Sequence, residues 1–340
     1  MKLRGAISGF GEVAAKAHLP GWATRSELAI AAIHDPIPER RNEAIRLAPG
    51  VRVYDDLPLM LDGESPDFVD IASPPAMHAG AARAALEAGA HVLVEKPMCL
   101  AMDEFDSLVG LARERDRVLM CVHNWKYAPA YALARRMIDE GRFGAVTFVS
   151  LDRLRAEPAG AGRAGGAWRS GAESGGGILI DHGWHVFYLM RWLMGGIAPH
   201  SISAALSAPA AAGAEETADL RVAFGGGLIA RAHLSWRAAA RRTSALVYGE
   251  AGMLEIEGAR VRFTSRSGTS EDLPVADIPD DSYHSAWFAA MAADFERAMA
   301  EGPAGPIATT NLAEAQSALA LVIAARKSAK TQASAVEIPS

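Results

Sequence analysis

The sequence predicts an α/β protein: a doubly wound parallel sheet in the first third, then a region built on an antiparallel sheet. Three observations predict it. Up to about residue 123, short β-rich runs ("LRGAISG", "ELAIAAIHD", "VRVYDD", "FVDIAS", "HVLVEKP", "RVLMCVH") alternate with alanine-rich stretches. That is the rhythm of strand, crossover helix and parallel strand. A glycine-rich turn stands where the first strand passes into the first helix. Beyond about residue 124, strands follow one another with few helices between them.

In the first region the spacing predicts helices over 12–23, 38–48, 76–89 and 103–115. The third is preceded by Ser73, Pro74 and Pro75, a helix-start signal. In the second, a helix over 129–140 precedes strands at 145–154, 201–207, 217–224, 228–237, 244–250 and 253–264. A glycine-rich loop at 156–177 leads into the helix "ILIDHGWHVFYLMRWLMG". That loop is long enough to suggest a segment that closes over a ligand. "SAPAAAGAEE" reads as a low-complexity surface turn, and helices over 283–301 and 311–328 close the chain. The resulting division is a first domain over 1–123 and a second over 124–340.

The 340 residues are half apolar and carry a formal charge of −6 with no long basic run, which argues against a nucleic-acid partner. Cys99 and Cys121 are the only cysteines, so neither a disulfide framework nor a cysteine zinc site is expected. "MKLRGAISGFGEVAAK" lacks a signal-like apolar core, and runs such as "LAIAAI" and "LALVIAA" are far shorter than the ~20 residues of a membrane span. A cytoplasmic protein with a small-molecule substrate and no membrane partner is the expectation.

Gly9, Gly11 and Ala14 stand in G-x-G-x-x-A spacing between strand and helix, with Phe10, Glu12 and Val13 in the same turn. The first glycine permits the turn, the second lets a pyrophosphate approach the backbone, and the small third residue packs helix on strand. Helix-terminal N–H groups then face the anion. Asp35 follows about 20 residues later, where dinucleotide folds hold a ribose 2′-hydroxyl, which favours NAD over NADP. It also suits capping of the next helix. Arg40, Arg41 and His34 lie close enough in sequence to receive a 2′-phosphate. Ligands of such sheets bind beyond the carboxyl ends of the strands, which places Glu95, Lys96 and Pro97 beside the crevice.

Asp181 and His185 are spaced i, i+4 on a predicted helix, so their side chains share a face. A histidine with an ordinary pKa near ~6.5 exchanges a proton at neutral pH. His182 with His185 forms H-x-x-H, but no second ligand cluster is visible and no metal is expected. A satisfied buried histidine and a substrate contact remain open for His182.

Three segments, "ISGFGEVAAKAHLPGW", "IASPPAMHAGAARAALEAGAHVLVEKPMCLAMDEF" and "SGGGILIDHGWHVFYLMRWLMG", together resemble the Gfo/Idh/MocA oxidoreductase family, in order and over most of the chain. The resemblance implies an N-terminal Rossmann domain with a nicotinamide cofactor, and a C-terminal α/β domain on a large, mainly antiparallel open sheet. It further implies homodimers or homotetramers that pair through that sheet. Lys96 would stand near nicotinamide and substrate, His185 would take the hydroxyl proton, and Asp181 would orient the imidazole or bind a neighbouring hydroxyl. Ser73, Pro74, His78 and Glu95 would lie along the cofactor. Asn124, Trp125 and Lys126 stand at the entry to the substrate domain, where relatives often carry arginine rather than lysine. Trp168, Arg169, Tyr283 and His284 are further pocket candidates.

The activity so implied is NAD(P)-dependent oxidation or reduction of a sugar, inositol or related polyol. Two alternatives use the same residues differently: a glycosidase that oxidises transiently and eliminates, and a non-catalytic dinucleotide sensor. An intact Lys96, Asp181 and His185 argues against the sensor.

Overall fold

A computed structural model describes residues 2–161, 167–171, 175–208, 213–276 and 283–338. Parts of two sequence expectations fall outside these residues: the glycine-rich loop at 162–166 and 172–174, and the surface turn at 209–212. Two compact units emerge. One comprises the chain to Tyr127 with a later segment ending at Gln316; the other comprises Ala128 onward and the segment from Ser317. The sequence division at 123/124 differs from this, because the later segment joins the first unit.

In the first unit, β1 (Leu3–Ser8), β2 (Leu28–His34), β3 (Arg52–Tyr54), β4 (Phe68–Ile71), β5 (His91–Val94) and β6 (Leu119–Cys121) form one sheet in the order β3-β2-β1-β4-β5-β6. Every pairing is parallel. This is the doubly wound dinucleotide-binding order, with its switch point between β1 and β4. After β1 a π-helical turn, Ala14–His18, runs into α1 (Leu19–Ala23). The crossovers that follow are α2 (Pro38–Leu47), α3 (Leu57–Glu64), α4 (Pro75–Glu87) and α5 (Met102–Glu114). The sequence reading missed α3, which Asp56 caps by accepting the Leu59 N–H at 2.9 Å.

The second unit begins with α6 (Pro129–Asp139) and β7 (Val146–Leu154). The helix carrying the histidines follows, as a π-helical turn Leu179–Gly183 continued by α7 (Trp184–Leu193). Then come β8 (Pro199–Ser207), β9 (Thr217–Phe224), β10 (Ile229–Ser235), β11 (Arg242–Gly249), β12 (Gly252–Glu257), β13 (Arg260–Ser265) and β14 (Ser270–Leu273). With β15 (Val336–Glu337) they form a nine-stranded sheet ordered β14-β13-β12-β11-β7-β10-β9-β8-β15, antiparallel except for β7 with β10. The single strand expected over 253–264 is instead a hairpin that turns at Gly258, whose φ of +59° suits glycine. Burial alternates along the strands, with Val149 and Leu151 on β7, and Ala230, Ala232 and Leu234 on β10, facing the core. Tyr188, Phe187 and Leu189 show no exposure, so α7 is apolar on nearly all sides and lies in the core against β7.

Helices α8 (Ser285–Glu301) and α9 (Pro306–Lys330) close the fold. The first-unit core takes Phe288 and Phe295 of α8 beside Trp22 and Phe68, with ring centroids 4.8–6.2 Å apart. Gly21 permits this, since a Cβ there would come within 2.6 Å of Phe288. The expectation that every apolar stretch is too short to cross a membrane needs correction for α9. By length and composition it is long and apolar enough, with a mean hydropathy of 1.3. Its polar residues, however, are paired as in a protein core. Asn311 bonds both backbone groups of Cys121, Glu314 binds His123 and Lys126, and Arg326 binds Glu215.

Candidate functional site

The carboxyl ends of the first-unit strands carry the predicted cofactor residues. Gly9 ends β1 with φ +90°, and a Cβ there would lie 2.5 Å from the Ser73 nitrogen, so only glycine lets the loops after β1 and β4 approach. A Cβ on Gly11 would meet nothing within 4 Å, which leaves open space over the turn. The Asp35 carboxylate braces that turn: it accepts the Phe10 N–H at 2.7 Å and the Ile37 N–H at 2.9 Å. The Asp35 carboxylate at the end of β2 thus orders the glycine turn and the chain entering α2, whose N-cap is Ile37 rather than Asp35. Arg41 donates to the Asp35 carbonyl at 2.8 Å and Arg40 pairs with Glu43 at 3.1 Å. Val13 leads into the π-helical turn, and Glu12 binds Lys16 at 2.8 Å and the Tyr283 hydroxyl at 2.9 Å, which joins Tyr283 to the glycine turn.

The E-K-P turn follows β5, and its bracing includes residues that sequence reasoning missed. His18 is buried with Nδ1 2.9 Å from Asp70 on β4 and Nε2 3.1 Å from Glu95. Phe288 stacks on its ring at 3.8 Å, and Trp22 donates to Asp70 at 2.7 Å. Burial pulls the His18 pKa down, but the two carboxylates outweigh it and raise it to about 9. The ring is therefore a buried cation at neutral pH. Burial favours a neutral Glu95, yet hydrogen bonding and charge from His18 win and lower its pKa. The ionised Glu95 accepts the Lys96 backbone N–H at 3.0 Å.

His78 serves the same turn. Its ring nitrogens face the Pro97 carbonyl at 2.6 Å and the Ser73 carbonyl at 2.7 Å, tying the loops after β4 and β5 together. A protonated ring would satisfy both carbonyls; burial pulls the other way and lowers its pKa. Pro74 leads α4 from an extended backbone. The buried Ser73 Oγ and Asn124 Oδ1 make no hydrogen bond. Lys126 turns its ammonium to Glu314, 2.9 Å and 3.0 Å from the two oxygens.

A nicotinamide dinucleotide fits this set of groups: a glycine turn with open space at Gly11 where a helix begins, a carboxylate after β2 and, among the described residues, a buried hydroxyl after β4 without a hydrogen bond.

In the second unit the glycines before the π-helical turn set the geometry. A Cβ on Gly176 would lie 2.2 Å from the Trp168 carbonyl, and Gly177 has φ +109°. The Gly177 N–H donates to the Arg169 carbonyl at 2.8 Å, folding Trp168 and Arg169 back onto the histidine helix. Arg169 then donates to Asp181 at 3.1 Å while its guanidinium lies 4.5 Å over Trp168. His182 accepts from the Trp236 indole N–H at 3.1 Å, which makes it a buried, hydrogen-bonded histidine, 3.8 Å from Asp181. His185 Nδ1 lies 2.8 Å from the hydroxyl of the fully buried Tyr188. A straight α-helix was expected to bring Asp181 to His185; across the π-helical turn, Arg169 is the hydrogen-bond partner seen for Asp181 and Tyr188 the one seen for His185. Tyr188, one turn beyond His185, was visible as an i, i+3 neighbour and went unnoticed.

Comparison with known proteins adds to this geometry. Residues 3–123 match a family model described as an oxidoreductase family, NAD-binding Rossmann fold, and residues 131–255 match the GFO/IDH/MocA C-terminal domain. D-glucoside 3-dehydrogenase of Escherichia coli is 31% identical over 209 residues, 59% of this chain and 57% of that protein. An uncharacterized oxidoreductase of Synechocystis is 30% identical over 188 residues, 55% of this chain and 50% of that protein. The matches thus span about half the length of these curated relatives. Levoglucosan dehydrogenase in complex with NADH and levoglucosan superposes with a TM-score of 0.86 at 21% identity, covering 100% of both chains. GenD2 from gentamicin A biosynthesis in complex with NAD gives 0.83 at 24% identity, over 100% of this chain and 97% of that one. At these identities the two structures share the fold.

Proposed function

Because the chain belongs to the Gfo/Idh/MocA oxidoreductase family, we propose that it is an NAD-dependent dehydrogenase or reductase acting on a CH–OH carbon of a sugar, inositol or related polyol. Two relatives bear the names of sugar dehydrogenases, which supports a polyhydroxylated substrate. The observation that carries the reading is Lys96 at the carboxyl end of β5 in an NAD-binding sheet, its turn held by Glu95 and His78.

NAD supplies the hydride acceptor or donor. The glycine turn and the N–H groups above it hold the pyrophosphate, and Asp35 orders that turn and favours the unphosphorylated ribose. Lys96 hydrogen-bonds the substrate oxygen and stabilises the negative charge that develops there. His185 accepts the hydroxyl proton at Nε2. For that Nδ1 must carry the ring proton, which the Tyr188 oxygen is placed to accept. Asp181, charge-balanced by Arg169, orients a neighbouring hydroxyl.

The test is a screen of sugars, inositols and polyols for net reduction of NAD⁺, with NADP⁺ in parallel. Net reduction by at least one, lost in Lys96→Met and His185→Asn, supports the reading. Turnover without net reduction would point to transient oxidation, and full activity in both variants would overturn the roles of Lys96 and His185.

A further inference from the structure

The second unit carries an excess of positive charge beside Asp181 that the proton-transfer scheme leaves unused. In the antiparallel register of β7 and β11, Arg242 pairs with Leu154 as the last pair; Arg155 follows it on one side and Arg241 precedes it on the other, close enough for Arg241 to act electrostatically on Arg155. Arg155 continues the alternation of Val149, Leu151 and Arg153, and Arg241 that of Ala245 and Val247. Arg241 is exposed just before β11, and Arg155, partly buried, continues the face of β7 that packs against α7. The Arg155 backbone is pinned there. Its N–H donates to the Ser235 carbonyl at 2.8 Å and its carbonyl accepts from Ala238 at 3.0 Å, bracketing Trp236, whose indole binds His182.

A nearby like charge disfavours the charged form of a group. Burial lowers the Arg155 pKa, and Arg241 and Arg169 lower it further against the pull of Asp181 and Glu157, which puts all four within electrostatic reach. Among the described residues neither Arg155 nor Arg241 has an ion-pair partner, whereas Arg169 is paired with Asp181. Arg169 thus binds the buried Asp181 carboxylate, and Arg155 lies within electrostatic reach of both.

Resting on the hydride-transfer reading above, we propose that Arg155 and Arg241 bind an oxyanion carried by the substrate, so that the substrate is an acidic polyhydroxy compound rather than a neutral sugar. A guanidinium presents a planar fork of donors that matches a carboxylate in two parallel hydrogen bonds. The two arginines supply two such forks, and the anion relieves their mutual repulsion. A carboxylate and a phosphate monoester share this chemistry.

The test uses the NAD⁺-saturated protein and matched probes: D-glucose against D-glucuronate, D-glucitol against D-gluconate, and a hexose against its phosphate. Turnover is followed by nicotinamide reduction and binding by calorimetry. Wild type is expected to favour the acidic member of a pair in kcat/KM by about tenfold to a hundredfold, the scale of hydrogen bonds to a charged group. Arg155→Gln erases that preference, chiefly through KM, and Arg155→Lys restores part of it. Whether the carboxylate or the phosphate arm gains more identifies the anion. Equal or better use of the neutral members, or an acid preference indifferent to Arg155→Gln and Arg241→Gln, would overturn the proposal and leave the hydride reading standing. If no probe reduces NAD⁺ but D-gluconate binds and Arg155→Gln abolishes the binding, the anion site stands and the hydride reading fails. No binding of either acid overturns the anion site.

Discussion

The two units hold their reactive groups by different means. In the first, the E-K-P turn rests on a buried ionic chain that runs from Trp22 and Asp70 through the His18 imidazolium to Glu95 and the Lys96 backbone. In the second, the histidine helix is set by close packing: glycines that admit the Arg169 loop, a π-helical turn and a neutral tyrosine beside His185. The difference teaches that the support of the E-K-P turn includes a buried ionic group that titrates, whereas the support of the histidine helix includes glycines whose replacement meets backbone and side-chain atoms.

The comparison breaks most sharply at His185 itself. His185→Asn is expected to lower kcat by about 10²–10⁴-fold, the worth of a positioned acid–base group. NAD⁺ affinity measured by calorimetry stays near wild type, because the cofactor residues belong to the first unit.

A smaller effect tests the ionic scaffold. The folded pKa of His18, about 9, lies above its unfolded value near ~6.5. Its charge therefore stabilises fully below the unfolded value, and that contribution is lost as pH rises through about 9. Urea unfolding across this window should reveal a decline on the order of 3 kcal/mol, flattened in His18→Gln. A slope unchanged by the substitution would show that His18 is not the titrating group.

The packing half is probed by glycine. Gly177→Ala combines φ +109° with a Cβ 2.3 Å from the Glu215 carboxylate. It should cost about 1–3 kcal/mol in thermal or denaturant unfolding at any pH. Gly11→Ala meets no neighbour, so it should fold as wild type and weaken only NAD⁺ binding. The smallest effect belongs to Tyr188→Phe, which removes one hydrogen bond to His185 and should reduce kcat about tenfold with little change in KM.

Much of the fold was legible in the sequence because it is written locally. Strand and crossover rhythm located the six parallel strands, and the glycine turn, E-K-P and D-x-G-x-H segments mark their elements by short spacings. Contacts between distant residues were not legible. His18, Asp70 and Glu95 come from three elements and meet only once β1, β4 and β5 are side by side. Arg155 and Arg241 come within electrostatic reach only once β7 and β11 pair. Helix α3 is short and carries Pro58 and Gly63, residues that weaken a helical pattern in sequence, although a proline in the first turn suits a helix start. The hairpin at Gly258 was masked by apolar alternation running through both its strands.

The proposed hydride transfer, with Lys96 and His185 in the proposed roles, is tested most directly by single-turnover mixing of NAD⁺-loaded protein with a polyhydroxylated substrate deuterated at the reacting carbon. Wild type should yield reduced nicotinamide carrying the deuterium, and transfer should be at least about a hundredfold slower in Lys96→Met and His185→Asn. Deuterium that never reaches the nicotinamide, or transfer at the wild-type rate in both variants, would contradict it.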